Sequence, residues 1–517
     1  MTHPPLLPGF YPDPSICRTD AGYFLATSSF EYFPGVPLFH STNLTGWRQV
    51  GHILDRPSQL DLTGAWISGG IYASTLRYHD GLYYLVTTVV GCERSGNFLV
   101  TAADPFGDWS DPVWIPEAIG IDPDLFWDAD GTCYLQWSRK ESGNSYIRIG
   151  QARLNSETGK LLEPPRDIWK GSGGLGPEGP HIYLIEGTYY LCIAEGGTEF
   201  GHMQTIARSD SPTGPFESCP RNPILTHRSL HTDVHAVGHA DIVQTPAGDW
   251  YGVAHGIRTK GYHRFHVLGR ETYLYPVSWA DDGWPVFGEQ GTLPSEAFPI
   301  EGKVVEGVKT DFNDTFSTSE YPLDWNWHRN PKPENYRRQA DGALMLKGSK
   351  DRIDGGGQAT WIGVRQRLHR CGLQADLKIE AGYETGAEAG LVVWQNLRHH
   401  FILGIRKTDT GLSLFSRVQL EDLVVEEPID LNPITISRWE IQAEDLRYRL
   451  GVRLKEKEDF VELASIQAKW LSTEVSGRFT GVYFALFAQG NIQLQCRSFT
   501  IQADQINMAP GYSTRKR

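Results

Sequence analysis

Two aspartates, one glutamate and one histidine occupy matching places in a repeated pattern of this sequence. Asp13, Asp122 and His239 each precede an isoleucine or leucine by three residues, and Glu178 precedes one by four. Carboxyl groups that share a cavity resist joint ionisation, so a chain seldom keeps three of them together for packing alone. One protonated and one ionised carboxyl group are what acid–base cleavage of a glycosidic bond requires.

Each acid taken singly also has a structural explanation. Asp13 lies between Pro12 and Pro14, and a carboxylate beside proline is common in plain turns. Glu178 precedes Gly179 and Pro180 and could cap a loop. Their recurrence at equivalent positions of a repeat favours the catalytic interpretation.

The repeat consists of five segments that each predict a β-hairpin. In each, an aliphatic residue of a short strand precedes a turn glycine by five or six positions. The aliphatic residues are Ile16, Leu76, Leu125, Ile182 and Ile242. The turn glycines, which can adopt positive φ, are Gly22, Gly81, Gly131, Gly187 and Gly248.

Successive aliphatic residues are 49 to 60 positions apart, which leaves room for about four strands per unit. The first 300 residues therefore predict a five-bladed β-propeller, with unrelated hairpins of a barrel or sandwich as the alternative. If each aliphatic residue lies on the innermost strand of its blade, the three acids and His239 meet at one end of the central axis.

After residue 300 the hairpin repeat stops and alternating strand patterns continue without a helical period. We predict an all-β protein with a propeller catalytic domain over residues 1–302, a linker over 303–310 and a C-terminal β-sandwich over 311–517 that packs on the propeller.

Composition excludes several classes of protein. The formal charge of −14 without basic clusters argues against nucleic acid and against an anionic membrane as partners. The seven cysteines are scattered singly and predict neither a zinc site nor a disulfide framework. No signal peptide is recognisable, which favours a cytoplasmic location, although a secreted mature form would look the same.

Eight motifs together resemble glycoside hydrolase family 43, in its two-domain group of β-xylosidases and α-L-arabinofuranosidases. They are GFYPDPSI, TSSFEYFPGVPLFHS, SGGIYASTLRYHDG, IDPDLFWDADG, GPEGPHIY, AEGGT, GHADIV and LGRET. The region after residue 310 resembles the concanavalin-like sandwich of that group. The chain departs from many relatives at Tyr72, Ala73 and Ser74, where they have Trp-Ala-Pro.

The resemblance implies an inverting mechanism and assigns roles to the three acids. Asp13 would be the general base on water, Glu178 the general acid, and Asp122 the residue that orients this acid and modulates its pKa. The residues expected to bind substrate are Arg270, His239, Phe30, Tyr72, Trp137 and, from the sandwich, Phe479.

The predicted activity is exo-acting removal of terminal β-1,4-linked D-xylose from xylo-oligosaccharides. Cleavage of α-L-arabinofuranosides from arabinoxylan or arabinan stays open as a second or main activity, and a non-catalytic carbohydrate-binding propeller is the alternative from another class. No cofactor is required by this chemistry. Some relatives have a structural Ca²⁺ at the propeller axis, so the resemblance implies a site for this ion near His239. A homo-oligomer is compatible with the sequence.

Overall fold

The computed structural model describes residues 4–140, 147–296, 298–382 and 384–503. Nearly all of the regular structure in these residues is β-strand, arranged as a five-bladed propeller followed by a sandwich of two large sheets. The predicted fold is therefore confirmed. The predicted domain boundaries, at residues 302 and 311, stay a prediction.

The first three blades are antiparallel sheets whose strands follow in chain order from the axis outward. Blade 1 contains β1 (Ser15–Thr19), β2 (Gly22–Ala26), β4 (Gly35–Ser41) and β5 (Arg48–Leu54), whereas the intervening β3 (Tyr32–Phe33) joins the sandwich. Blade 2 contains β6 (Gly70–His79), β7 (Leu82–Val90), β8 (Gly96–Ala102) and β9 (Val113–Trp114). Blade 3 contains β10 (Ile121–Trp127), β11 (Cys133–Lys140), β12 (Ile147–Asn155), β13 (Lys160–Leu161) and β14 (Arg166–Trp169).

The last two blades have the same plan. Blade 4 contains β15 (Glu178–Ile185), β16 (Thr188–Glu195), β17 (Met203–Ser209), β18 (Glu217–Ser218) and β19 (Leu225–Thr226). Blade 5 contains β20 (Val234–Gln244), β21 (Trp250–Arg258), β22 (Glu271–Trp279) and β23 (Pro285–Phe287). A short ribbon of β24 (Pro299–Ile300) and β25 (Lys303–Val304) follows the propeller.

The repeated aliphatic residues lie on the innermost strands, as the sequence predicts. Ile16 is in β1, Leu76 in β6 and Leu125 in β10, and their counterparts Ile182 and Ile242 are in β15 and β20. These five strands neighbour one another in a closed ring around the axis. All five predicted turn glycines have positive φ, between 81° and 115°.

The N-terminal segment closes this ring and places Asp13 beside blade 5. Leu7 and Thr272 exchange two backbone hydrogen bonds of 3.1 and 3.2 Å, and the N–H of Tyr11 donates to the carbonyl of Arg270 at 3.0 Å. A chain end that would otherwise fray is thereby fixed to a buried strand.

The sandwich consists of two antiparallel sheets of eight strands each. One sheet contains β26 (Phe312–Asp314), β28 (Tyr336–Gln339), β29 (Ala343–Lys347), β31 (Cys371–Ala381), β36 (Ile436–Glu444), β37 (Arg447–Leu454), β38 (Lys457–Gln467) and β40 (Ile492–Ala503). The other contains β3 of the propeller with β27 (Asn326–His328), β30 (Thr360–Arg365), β32 (Glu388–Asn396), β33 (His399–Thr408), β34 (Gly411–Leu420), β35 (Leu423–Ile429) and β39 (Tyr483–Gln489).

Helical structure in the described residues is confined to short turns. They are the 3₁₀ turns Pro333–Asn335, Pro433–Thr435 and Ala468–Leu471 and the single-turn α1 (Thr473–Ser476). None of the helices in the described ranges has the length and apolar character needed to cross a membrane.

The propeller and the sandwich share a hydrophobic core. Phe10, Phe30 and Tyr32 of the propeller belong to one buried cluster with Trp361 and Tyr483 of the sandwich. The Tyr32 and Tyr483 rings stack with centroids 4.2 Å apart. Pairing of β3 with β27 adds backbone hydrogen bonds to this contact, so the sandwich packs directly on the propeller.

Candidate active site

One small cavity contains most of the residues that the sequence predicts for the site. Its volume is about 120 Å³. It is lined by Asp13, Phe30, Tyr72, Ala73, Ile121, Asp122, Glu178, Thr198, His239, Arg270 and Phe479. Contributions come from all five blades and from the sandwich, so the repeat correctly predicted which acids meet.

A recurring backbone irregularity presents these side chains to the cavity. In β10, β15 and β20 the register of strand pairing is interrupted by a bulge just before the aliphatic residue of the repeat. The bulge lies between the residues four positions and one position before it. Asp13, Asp122 and His239 have φ of 53°, 56° and 53°, in the left-handed region that few non-glycine residues adopt. Such bulges and strained residues gather at functional sites, where they re-aim a side chain.

Blade 4 has glycine at the equivalent place. Gly179 has φ of 55°, and a Cβ on it would lie 2.8 Å from Nε2 of His239. The close approach of this backbone to His239 therefore requires glycine. The carboxyl group of blade 4 comes instead from Glu178, one residue earlier, which explains its offset of four.

Asp13 is held as an ionised carboxylate. Its Oδ1 is in contact with Nη1 of Arg270 and lies 3.1 Å from Nδ1 of His255, and its Oδ2 accepts a hydrogen bond of 2.7 Å from Oγ of Ser28. Burial alone would raise the pKa of Asp13. The Arg270 guanidinium, together with His255 and His239, outweighs this effect and holds the pKa well below its usual range.

The pKa values of Glu178 and Asp122 are shifted in the opposite direction, upward. Burial raises the pKa of Asp122 to about 7, and the negative charge of Asp13 adds to the rise, although the N–H of Gly179 donates to Oδ2 of Asp122 at 3.2 Å. Burial also raises the pKa of Glu178 well above its usual range, with further increases from the charges of Asp122 and Asp13. This site therefore combines Asp13, a carboxyl group of lowered pKa, with Glu178, a carboxyl group of raised pKa.

His239 is neutral and lies beside Asp13. Its Nδ1 is 3.8 Å from Oδ1 of Asp13. Burial lowers the pKa of His239 to about 3, against the attraction of the Asp13 carboxylate. His239 is thus suited to donate or accept hydrogen bonds in the cavity without carrying a charge.

Aromatic rings form one wall of the cavity. Phe30 lies between Tyr72 and Phe479, with ring centroids at 5.1 and 6.3 Å, and the Arg270 guanidinium lies 5.4 Å from its centroid. The sandwich contributes Phe479, which is 40% exposed. Its N–H donates to Oγ of Ser68 at 3.1 Å, which joins the sandwich loop to the propeller at the cavity rim.

Trp137 is not among the residues that line this cavity. Its side chain is 1% exposed in the hydrophobic core of blade 3, and its indole N–H donates to the carbonyl of Ile119 at 3.0 Å. The adjacent Ser138 points the other way along β11 and donates to the carbonyl of Pro177 at 2.7 Å. Strand alternation thus turns Trp137 away from the site.

Several site residues were not predicted from the sequence. Thr198 lies in the AEGGT motif, on the loop after β16. Ser28 and His255 contact Asp13 but have no counterparts in the repeat that would mark them. The motif could have indicated Thr198. His255 lies on β21, the second strand of blade 5, and its contact with Asp13 can be recognised only in the folded chain.

The sequence of the propeller agrees with this geometry. Residues 2–285 match the family model of Glycosyl hydrolases family 43. The chain belongs to this family. Residues 313–499 match a second family model, the Beta xylosidase C-terminal Concanavalin A-like domain. The protein is therefore a two-domain family 43 glycoside hydrolase.

Similar curated proteins match this chain over nearly its whole length. The non-reducing end alpha-L-arabinofuranosidase BoGH43B of Bacteroides ovatus is 37% identical over 95% of this chain and 91% of its own. A xylosidase/arabinosidase of Butyrivibrio fibrisolvens is 37% identical over 94% of this chain and 95% of its own. A beta-xylosidase of Bacillus subtilis is 33% identical over 94% and 96%.

Solved structures of family 43 proteins have the same architecture. The GH43B protein of a Bacteroides ovatus xyloglucan locus superposes with a TM-score of 0.88 at 34% identity, over 97% of this chain and 99% of that one. The xylan beta-1,4-xylosidase from Bacillus halodurans superposes with a TM-score of 0.87 at 30% identity, over 97% and 100%. Both likenesses include the sandwich.

One group of side chains has the geometry to contact a cation. Asp13, His239 and His255 each offer one ligand atom, and these atoms lie within 4.8 Å of one another. Family 43 enzymes need no cofactor for catalysis. The group supplies two imidazole nitrogens and one carboxylate oxygen, whereas Ca²⁺ takes six to eight oxygen ligands. These side chains alone therefore do not fit a calcium ion.

Proposed function

We propose that this protein is an exo-acting, inverting β-xylosidase that removes terminal D-xylose from β-1,4-linked xylo-oligosaccharides. The observation that carries the proposal is the contrast between two carboxyl groups in one small cavity, because the pKa of Asp13 lies well below its usual range and the pKa of Glu178 well above it. This is the pair that a single-displacement hydrolysis uses.

In the proposed reaction, Asp13 is the general base. Its carboxylate removes a proton from a water molecule as that water attacks the anomeric carbon. Arg270 and Ser28 hold the carboxylate in one orientation, because each contacts a different oxygen. The Arg270 guanidinium lowers the proton affinity of Asp13, but it also keeps the base ionised at neutral pH.

Glu178 is the proposed general acid. It gives its proton to the glycosidic oxygen while the bond to the anomeric carbon breaks, so the leaving sugar departs as a neutral alcohol. Together with burial, the charge of Asp122 favours the protonated form of Glu178, and the N–H of Gly179, the residue after Glu178, donates a hydrogen bond to Asp122. After product release, solvent exchanges the protons of Asp13 and Glu178 back to their starting positions.

The remaining lining residues are proposed to bind the terminal sugar. Arg270 and His239 offer donors for hydroxyl groups, and Phe30 and Tyr72 provide a flat apolar surface for one face of the ring. The small volume of the cavity favours a single sugar residue. Exo action follows, because a chain can enter such a cavity only by its end.

A proton NMR time course on xylobiose tests the stereochemistry. The first xylose released from the non-reducing end should be the α-anomer, which then mutarotates. Initial appearance of the β-anomer would refute the inverting mechanism, and no hydrolysis of any xyloside would refute the proposed substrate.

An α-L-arabinofuranosidase is the second candidate. Two relatives that match more than 90% of the chain carry arabinosidase activity in their names. Initial rates on aryl β-D-xyloside, aryl α-L-arabinofuranoside, xylobiose and arabinan, measured at equal enzyme concentration, rank the two activities. A higher kcat/KM on the arabinofuranoside would make this second activity the main one.

We also propose that a cation near His239, where present, is held mainly by water and is not needed for hydrolysis. The side chains of Asp13, His239 and His255 supply too few oxygens, and the Arg270 guanidinium contacts the same carboxylate. Dialysis against EDTA should leave both kcat and the unfolding temperature unchanged. A fall in the unfolding temperature that Ca²⁺ reverses would establish a structural site.

A further inference from the structure

A second and larger cavity adjoins the catalytic one. Its volume is about 940 Å³, and it shares Tyr72 and Phe479 with the catalytic cavity as lining residues. The propeller loop between β5 and β6 forms one side, and loops of the sandwich form the other. Because the catalytic cavity has room for little more than one sugar, the rest of an oligosaccharide must lie outside it, and this is the space next to its rim.

Trp66 forms a flat surface in the larger cavity. Its side chain is 62% exposed, which is unusual for so large an apolar ring. A Cβ on Gly69 would lie 2.7 Å from Cδ1 of the indole, and one on Gly91 would lie 2.5 Å from Cε2. The indole therefore rests on the backbone of two glycines.

Backbone hydrogen bonds keep this arrangement in place. The N–H of Trp66 donates to the carbonyl of Gly91 at 3.2 Å, and the N–H of Gly69 donates to the carbonyl of Trp66 at 2.8 Å. The indole packs on the glycine backbone with one face and is exposed to solvent on the other. Its side chain therefore does not need to change conformation when a sugar ring stacks on it. Sugar rings present C–H groups on one face, and these pack on an aromatic surface.

Polar groups around the larger cavity suit a ligand that is rich in hydroxyl groups. Arg398 and Arg478 offer donors, and Asp354, Glu421 and Asp422 offer acceptors. Arg478 directly precedes Phe479 in the sequence. Its buried Nε has no hydrogen-bond partner among the described residues. The lining carries charges of both signs rather than a cluster of one sign. Such a lining offers both hydrogen-bond donors and acceptors, which suits the hydroxyl groups of a neutral oligosaccharide.

We propose that Trp66 is a stacking platform for a sugar residue in the leaving-group part of the substrate. The chain would then bind oligosaccharides across two cavities, with the terminal sugar in the catalytic cavity and a later pyranose residue on the indole. This assignment rests on the proposed glycosidase function, and it adds a binding site for a sugar of the oligosaccharide beyond the terminal one.

Chain-length dependence of hydrolysis tests the platform. We would measure kcat/KM for an aryl β-D-xyloside, xylobiose, xylotriose and xylotetraose with the wild type, Trp66→Ala and Trp66→Phe. The ratio of kcat/KM for xylotetraose to that for the aryl xyloside should fall about 2- to 10-fold in Trp66→Ala. Trp66→Phe retains a flat ring and should recover most of the ratio.

Trp470→Ala is the matched control, because Trp470 is also partly exposed but lines neither cavity. It should leave the ratio unchanged. An unchanged ratio in Trp66→Ala would overturn the platform, as would an equal loss on all four substrates. Failure of the proposed function itself would be recognised separately, because the wild type would then hydrolyse none of the four.

Binding without turnover gives an independent readout. Calorimetric titration of Glu178→Gln with xylotetraose should show a several-fold higher Kd when Trp66→Ala is added, and a smaller change with xylose. Equal Kd values for xylotetraose with and without Trp66 would contradict the proposal.

Discussion

Asp13 and Glu178 lie in the same cavity, yet the pKa of Asp13 is lowered and the pKa of Glu178 is raised. The difference comes from their neighbours. Asp13 is in contact with a guanidinium and accepts a hydroxyl hydrogen bond, whereas Glu178 faces two other carboxyl groups. Burial raises the pKa of both groups, so their specific contacts set the difference on which the proposed roles of base and proton donor rest.

Removing the proton donor should affect substrates unequally. In Glu178→Gln, kcat on xylobiose should fall about 100- to 10,000-fold, because the leaving sugar oxygen needs a proton. An aryl xyloside with a strongly acidic phenol should lose far less, because its leaving group departs as a stable anion. The measurement is kcat for both substrates at one pH.

Asp13→Asn provides the comparison for this variant. It removes the base on water, which every substrate needs, so both substrates should lose activity to a similar degree. Equal losses on both substrates in Glu178→Gln would mean that Glu178 is not the general acid.

The basic limb of the pH profile should depend on Asp122. The proposed mechanism requires a protonated Glu178, whose pKa is raised by burial and by the charges of Asp122 and Asp13. Asp122→Asn removes one of these charges, so Glu178 should lose its proton at a lower pH. The high-pH limb of kcat/KM should therefore move toward acid, as measured from a pH series on an aryl xyloside.

The acidic limb is the internal control for this shift. It depends on Asp13, whose pKa is set by burial and then by Arg270 and His255, and these neighbours are retained in Asp122→Asn. A basic limb that stays in place would show that Asp122 does not set the proton affinity of the acid.

At the scale of elements, the sandwich loop reaches the catalytic cavity through a short hydrogen-bonded connection. The N–H of Phe479 donates to Oγ of Ser68, and the N–H of Ser68 donates to Oε1 of the buried Glu31 at 3.1 Å. Glu31 directly follows Phe30 of the cavity wall. These hydrogen bonds connect Phe479 to the propeller segment between β2 and β3, which carries Phe30.

Ser68→Ala should loosen Phe479 without removing it. One hydrogen bond of ordinary strength contributes about 1 kcal/mol, so KM for xylobiose should rise about 5-fold while kcat changes less. Ser295→Ala, whose hydroxyl donates to Glu289 on another part of the propeller, is the control and should leave KM unchanged. A fall in kcat with no change in KM would argue against a binding role for this connection.

The hairpin repeat explains how much of the site could be predicted. Ile16 and its four counterparts identify the innermost strands, so the positions just before them were correctly brought together. The bulges that give Asp122 and His239 positive φ depend on strand pairing and leave no pattern in the sequence. Phe479 follows from family resemblance, because no repeat relates the sandwich to the cavity.

Trp137 shows the limit of inference from residue type. An aromatic residue on the second strand of a blade is compatible with a cavity wall, but the direction of its side chain depends on strand alternation and on which face the neighbouring blade covers. The carbonyl of Ile119 binds the indole N–H inside blade 3, and that contact can be recognised only in the folded chain.

At the scale of the whole molecule, the two domains are joined through a buried core rather than a linker alone. Trp361 of β30 belongs to the same cluster as Phe30 of the cavity wall, and β3 of the propeller is an edge strand of a sandwich sheet. A protein with such a shared core should unfold as one unit, because separating the domains would expose large aromatic side chains.

Calorimetry and activity together test this coupling. The wild type should show one unfolding transition, and activity should be lost over the same temperature range. Trp361→Ala removes a fully buried indole from the sandwich side and should cost about 3 to 5 kcal/mol, which lowers both the transition and the temperature of inactivation. If the sandwich unfolded first and the propeller then still hydrolysed substrate, the shared core would have no role in holding the catalytic cavity together. Coincident loss would instead explain why a glycosidase whose proposed catalytic acids all lie in the propeller retains a second domain.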